Sequence, residues 1–252
     1  MTGGVTKRFR VQSVVFDLFN TLVNPDVYRP EGFTRARRIA EVLGLADPDD
    51  FVKWWRGMEA QRHVNRLKRV AQYADEYLME RVGRRCTEAE LAQINEIWGQ
   101  MHDLALLKPP EEALSALRRL GGKGVKLGLL SNIDEREAVC WSKSPLAPLL
   151  DAVCLSYETG HRKPANEAYA FVLSRLGADA QSSIYVGDGN HDELGGAKRA
   201  GFGLVVFMKG FIPRGPRNAE IVQAREVQAD VTVLSLNELP DLVDQLQSPA
   251  ME

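Results

Sequence analysis

Val11-Gln12-Ser13-Val14-Val15-Phe16-Asp17 is the stretch on which the fold turns. Residues 11–16 are rich in β-formers, and Val14, Val15 and Phe16 are apolar at consecutive positions. A strand with one wet face alternates polar and apolar residues. An unbroken apolar run marks a strand covered on both faces, as in a parallel sheet between helical layers. This strand ends on a carboxylate, Asp17. Before it, residues 1–10 read as a loose lead-in. Lys7 and Arg8 have no apolar h-region behind them, so no signal peptide is expected. After it, Pro25 and Pro30 mark a loop, and the composition changes.

From about 31 to 104 the pattern is helical, with no strand. Phe33, Ala36, Ala40 and Leu43 follow helix spacing up to Gly44, a helix stop. Asp49 or Asp50 is placed to cap a second helix carrying Phe51, Trp54, Trp55 and Met58. Val70, Tyr73, Tyr77 and Leu78 mark a third. Thr87 with Glu90 forms a capping box before Leu91, Ile94, Trp98 and Met101. The aromatic stripe reads as the core of a bundle.

Past Pro109-Pro110, strands and helices alternate. Strands are expected over 125–130, 152–155, 183–186, 203–207 and 231–233. Helices are expected over 111–120 and 166–176, between Asp188 and Gly201, and from Leu239 onward. Alternation of this kind implies a parallel sheet with helices on both faces. The expected architecture is an α/β, Rossmann-like core built from residues 1–24 and 106–252. It is interrupted by an inserted α-helical domain over 25–105.

The 252 residues suffice for a sizeable core, with 44% hydrophobic and 26% charged residues. A formal net charge of -2 gives no global argument for nucleic acid or a membrane surface. No apolar run approaches the ~20 residues of a membrane helix. Cys86, Cys140 and Cys154 are odd in number and widely spaced. They form neither a disulfide framework nor a ligand pair, which fits a reducing cytoplasm.

In a parallel α/β sheet, ligands bind beyond the carboxyl ends of the strands. The polar residues there are Asp17, Ser131-Asn132 and Asp188, with Lys163-Pro164 in the loop before the 166–176 helix. They offer a carboxylate nucleophile, hydroxyl and amide donors, a cation and further carboxylates. A carboxylate attacks an anionic phosphoryl group only with positive charge nearby, which a lysine and a metal ion supply. Carboxylate oxygens with water suit a hard cation such as Mg2+.

With these pieces in this order, the chain resembles the haloacid dehalogenase-like hydrolase superfamily. The branch it resembles carries a helical, C1-type cap after the first strand. Asp17-Leu18-Phe19-Asn20-Thr21 matches motif I, and Ser131-Asn132 matches motif II. Lys163 in Gly160-His161-Arg162-Lys163-Pro164 matches motif III. Gly187-Asp188-Gly189-Asn190-His191-Asp192-Glu193, with Gly196-Ala197 and Ala200-Gly201, matches motif IV. The resemblance implies that Asp17 is the nucleophile and forms an aspartyl intermediate. Lys163 would neutralise charge between Asp17 and substrate. Ser131, Asn132 and Thr21 would hold the phosphoryl group. Mg2+ would be bound by Asp17, Asp188 and the Phe19 backbone carbonyl, supported by Asp192 or Glu193. The implied partner is a small anionic metabolite, and the implied protein a cytoplasmic monomer or homodimer.

The pattern is broken at Phe19. Phosphatases of the superfamily usually have an Asp there as general acid and base, a role worth roughly 10²–10⁴-fold. A leaving group needing little protonation, such as an acyl or enol phosphate, would compensate. So would a residue of the insert, His63 or His102. Two other functions also follow from Phe19: a metal-free dehalogenase, or a binding protein that kept the fold and lost turnover. Dehalogenases lack the Gly-Asp pair that Asp188 completes, and drift after loss of catalysis should have damaged Asp17, Lys163 and Asp188. The basic run Arg62, His63, Arg66, Lys68 and Arg69 reads either as a solvated helix face or as a surface turned toward an anion. His161 either lines the site or sits on the surface.

Overall fold

A computed structural model describes residues 8–212 and 216–248. Most of the expected lead-in lies outside them. The chain enters through β1 (Ser13–Phe16) and then α1 (Arg35–Val42), α2 (Pro48–Gly57), α3 (Glu59–Arg62), α4 (Val70–Val82) and α5 (Glu88–Leu107). It continues through α6 (Glu111–Gly121), β2 (Lys126–Ser131), β3 (Ala152–Leu155), α7 (Ser156–Thr159) and α8 (Asn166–Leu176). It finishes with β4 (Ser183–Gly187), α9 (Glu193–Arg199), β5 (Leu204–Met208), α10 (Pro216–Gln228), β6 (Val231–Val233) and α11 (Leu239–Gln247).

The six strands form one sheet in the order β3-β2-β1-β4-β5-β6, and every pairing is parallel. β1 shows why its apolar run is unbroken. Val14 and Phe16 pack into one cluster with Leu114, Leu117 and Leu242 of α6 and α11. Val15 packs on the opposite face with Tyr169, Val172 and Leu194 of α8 and α9. Both faces are covered, so both parities must be apolar.

The sheet's register positions the strand ends. Phe16 pairs with Leu129 of β2 on one side and Val186 of β4 on the other. Asp17 therefore sits one step beyond those pairs, with Ser131 and Asp188 each just past it on either flank. Strand order reverses about β1, and a crevice opens at such a reversal.

Helices α1, α2, α4 and α5 share a separate cluster that includes Phe51, Trp55, Tyr73, Tyr77 and Trp98. The aromatic stripe is spent on this packing. Thr87 and Glu90 form the capping box of α5. The cap of α2 is Asp47, whose carboxylate accepts from the Asp49 and Asp50 amides, in place of Asp49 or Asp50 themselves. Pro48 explains the shift: it has no N–H to satisfy and a φ suited to the first helical position. Helix α10 was not legible from the sequence, since its polar composition carries no clear apolar stripe. No helix among the described residues is long and apolar enough to cross a membrane.

Gly203 lets the lead-in to β5 pass tightly against the segment before β4. A Cβ there would lie 2.2 Å from the Gln181 carbonyl oxygen. Because backbone must move to admit it, Gly203→Ala is expected to lose about 1–3 kcal/mol of stability. Urea denaturation measures this, and an unchanged midpoint would show that the segment yields freely.

Candidate active site

The floor of the crevice is organised by Lys163. Its side chain is 2% exposed, and a lone buried ammonium is strongly unfavourable. Two carboxylates answer it: Nζ lies 2.6 Å from Asp17 Oδ1 and 2.6 Å from Glu193 Oε2. The Tyr185 hydroxyl stands 3.1 Å from Nζ and donates to Glu193 Oε2 at 2.7 Å. Asn132 fixes the backbone of Lys163, accepting from its N–H and donating to its carbonyl, both at 2.9 Å. The Asn132 side chain thus ties the loop after β2 to the loop before α8.

The other Asp17 oxygen is held locally. Asn20 takes a left-handed φ of 62°, its N–H donates to the Val23 carbonyl, and Thr21 is brought back onto Asp17. Thr21 donates to Asp17 Oδ2 at 3.0 Å. It is fully buried and does not line the cavity above. Thr21, expected to hold the phosphoryl group, is instead a hydrogen-bond donor that orients Asp17. Ser131, Asn132, Lys163, Asp17, Asp188 and Glu193 do line the cavity.

The loop after β4 decides between the two acids left open by the sequence. His191 and Asp192 are both left-handed, with φ of 55°. This turn sends Asp192 outward to Arg199 at 2.7 Å, while Glu193, the first residue of α9, points in. Glu193 therefore lines the cavity and Asp192 does not. Two side-chain identities do not encode that choice; two backbone signs do.

Oxygens of Asp17, Asp188 and Glu193 lie within 4.8 Å of one another. Lys163 meets Asp17 and Glu193, and Arg225 lies 3.6 Å from Asp188, so three buried carboxylates face two cations. Burial, then Glu193, raises Asp17 to about 6 despite the opposing pull of Lys163. Burial, then Glu193 and Asp17, raises Asp188 to about 8. Burial pulls the Lys163 pKa down, but the two carboxylates outweigh it and raise it. An excess of hard anionic oxygens in a buried crevice fits a small divalent cation.

Above the floor is a cavity of about 220 Å³ whose far walls include Phe19, Arg29, Arg35, His63, His102 and Glu137. Arg35 pairs with Glu137 at 2.8 Å. His102 lies 3.2 Å from the Arg35 guanidinium and 3.4 Å from Glu137. Its ring stands edge-on to Phe19, with centroids 4.6 Å apart. Burial draws both His63 and His102 down to about 4, so both are neutral at pH 7. Burial would raise Glu137, but His102, Arg35 and His63 bring it down to about 2. His63, Asp134 and Glu137 also have ligand spacing. There, however, Arg35 on Glu137 and Arg62, 3.8 Å from Asp134, already supply the positive charge.

Sequence reading missed the residues that join the two halves of this cavity. They are four consecutive residues of the loop after β2. Asp134 accepts from Trp98 Nε1 at 2.7 Å, and Glu135 from the Val70 N–H at 2.8 Å. Arg136 reaches across Gly99 to both Asp103 oxygens, at 2.9 and 2.6 Å, and Glu137 takes Arg35. Alternating charge in a loop looks like surface. The available signal was its place directly after Ser131-Asn132. The basic run is divided: Arg62 and His63 are buried, Arg66 and Arg69 are exposed, and Lys68 pairs with Glu76. His161 packs near Phe171, away from the cavity.

Residues 11–201 match the family model of haloacid dehalogenase-like hydrolases. A ribulose-1,5-bisphosphate 5-phosphatase of Halopiger xanaduensis is 27% identical over 241 residues, 92% of this chain and 98% of that one. A glyceraldehyde 3-phosphate phosphatase of Methanocaldococcus jannaschii is 31% identical over 57% of this chain and 60% of its own length. Among solved structures, a 2-haloacid dehalogenase from Pseudomonas syringae superposes with a TM-score of 0.61 at 19% identity, covering 93% of this chain and 99% of that one. At that identity the likeness is one of fold.

The raised Asp188 carboxyl has a consequence for stability. Between its ordinary 3.8 and about 8, the folded protein keeps a proton that the unfolded chain releases. Stability from this group is complete below the lower value and falls as pH rises toward the upper one. In EDTA, the melting temperature of wild type relative to Asp188→Asn should therefore drop from pH 5 to pH 8. The histidines contribute equally to both proteins and cancel. Parallel curves would show that Asp188 titrates normally.

Proposed function

Because the chain belongs to the haloacid dehalogenase-like hydrolase family, we propose that it is a Mg2+-dependent phosphatase of small phosphorylated metabolites. The nucleophile is Asp17, and residues 25–105 form a helical cap over the strand ends. The observation that carries this reading is the crowding of three buried carboxylates, Asp17, Asp188 and Glu193, against two cations: Lys163 on Asp17 and Glu193, and Arg225 3.6 Å from Asp188. Such a floor is short of positive charge, and so is an approaching phosphoryl group. The phosphatase names of the relatives support the same reaction class.

Thr21 and Lys163 orient the Asp17 carboxylate. An Asp17 oxygen attacks phosphorus, the bond to the leaving oxygen breaks, and its electron pair departs with the leaving group. Water then attacks phosphorus, the bond to the Asp17 oxygen breaks and restores its carboxylate, and the proton of the water leaves with the inorganic phosphate. Ser131, at the end of β2, donates to a phosphoryl oxygen beside the Asn132 backbone. Lys163 balances charge between Asp17 and the phosphoryl group. A Mg2+ ion held by Asp17, Asp188 and the Phe19 carbonyl, with Glu193 behind, would further neutralise the phosphoryl oxygens.

The proton balance points to the leaving group. Phe19 cannot donate, His63 and His102 are neutral at pH 7, and Glu59 and Glu137 are held near 2. A substrate whose leaving group departs as a stable anion, the carboxylate of an acyl phosphate or the enolate of an enol phosphate, makes the least demand on this cavity. Phe19 also favours a second reading, metal-free hydrolysis of a carbon–halogen bond. Asp188 weighs against it, since a further buried acid beside Asp17 and Glu193 suits a divalent cation better than a metal-free site.

Purified protein is expected to release phosphate from members of a metabolite panel when Mg2+ is supplied. Asp17→Asn should reduce that release to background, and EDTA should stop it. Activity that survives both treatments would overturn the reading. Halide release from short 2-haloacids in EDTA would establish the second one in its place.

A further inference from the structure

Asp188 is held in a turn that does not hold itself. Gly189, His191 and Asp192 all have left-handed φ, of 84°, 55° and 55°. The last two bear side chains, for which this region is unfavourable. Contacts must compensate. Glu193 Oε1 accepts from the Gly189 N–H at 2.9 Å. Asn190 donates twice to Asp188, from its backbone N–H to Oδ1 and from Nδ2 to Oδ2, both at 3.0 Å.

His191 meets Glu59 and Asp192 meets Arg199 at the rim of the turn, and the contacts on its Asp188–Asn190 side come from Arg225 of α10. Its guanidinium donates to the Asp188 carbonyl at 2.7 Å and to Asn190 Oδ1 at 2.6 Å. It lies 3.6 Å from Asp188 Oδ2, and the arginine side chain is only 17% exposed. Its methylenes cover Gly189, where a Cβ would meet Cδ at 2.7 Å. A guanidinium only donates. It therefore fixes which end of the Asn190 amide faces it, and so turns Nδ2 toward Asp188. One side chain clamps the main chain of the turn, sets the Asn190 amide and places a positive charge behind the carboxylate.

We propose that Arg225 is a positioning residue of the metal site, holding the Asp188–Asn190 turn so that the Asp188 carboxylate faces Asp17. The inference rests on the reading of Asp188 as a Mg2+ ligand. It is opposed by simple electrostatics, because removing a cation near a carboxylate would tighten Mg2+ binding. The two effects have opposite signs and can be separated.

Titration calorimetry of the full chain with Mg2+ alone provides the test, comparing wild type with Arg225→Gln, Arg225→Lys and Asp188→Asn. Partners that orient a ligand are worth about 10–100-fold in metal affinity. Arg225→Gln should weaken binding by that factor. Arg225→Lys, which keeps charge but loses the fork, should fall between it and wild type. In kinetics, the Mg2+ concentration for half-maximal activity should rise while kcat at saturating Mg2+ changes little. Melting curves in EDTA report whether each variant is folded. A folded Arg225→Gln that binds Mg2+ as tightly as wild type, or more tightly, overturns the inference and leaves the metal reading intact. If Arg225→Gln does not fold, Arg225→Lys with wild-type affinity overturns it. Wild-type protein that takes up no Mg2+ refutes the metal reading itself, and the inference with it.

Discussion

A buried ammonium must be answered by buried anions, and most of this site follows from how Lys163 is answered. Its Nζ draws Asp17 from the end of β1 and Glu193 from the start of α9 to the same 2.6 Å. Tyr185, inside β4, closes the group. Three parts of the α/β core are thereby tied to a fourth, the loop before α8, at a single atom. Losing one partner of such a group would leave a charge uncompensated, which costs about 3–5 kcal/mol. The group is therefore a structural commitment as well as a chemical one.

The opposite wall is built on a different principle. Its charges are balanced in pairs, Arg35 with Glu137 and Arg62 near Asp134. The floor carries an excess of acid, while these pairs are close to neutral. The loop at 134–137 links the two, because it leaves β2 just after Ser131-Asn132 and grips α1, α4 and α5. A shift of the helical segment would therefore be felt at the residues beside Asp17. The packing of Arg136 against Gly99 gives that loop little freedom.

Much of the fold was legible because sheet physics writes itself into sequence. A strand covered on both faces must be apolar at consecutive positions, and Val14, Val15 and Phe16 are. Parallel strands must end together, so the polar residues at those ends converge. What was illegible depended on backbone signs and on distant partners. Nothing in Asp192-Glu193 says that two left-handed residues turn the first out and the second in. The resemblance implied a phosphate-holding Thr21, yet a tight turn brings its hydroxyl onto Asp17. Arg225 lies on a helix with no clear apolar stripe, and only the folded chain brings it to Asp188. Arg35, lost among mixed neighbours in sequence, is placed by Trp98, His102 and Glu137.

Phe19 is best understood through the charge of the floor. Asp17 and Glu193 already share Lys163, and burial beside these two carboxylates raises Asp188 to about 8. Each further carboxylate in the same crevice would raise those already present. A phenyl ring two residues after Asp17 adds no charge and packs edge-on against His102. That contact keeps an imidazole buried, burial keeps it neutral, and the neutral ring keeps another full charge away from the Arg35–Glu137 pair. The same substitution that removes a proton donor thus limits the electrostatic cost of a floor dense in acid. It also leaves the wall beside the leaving group apolar at the point where a carboxylate would otherwise stand. On the phosphatase reading proposed above, the charge on phosphorus would be met by the floor, and a departing anion would need to ask little of the wall.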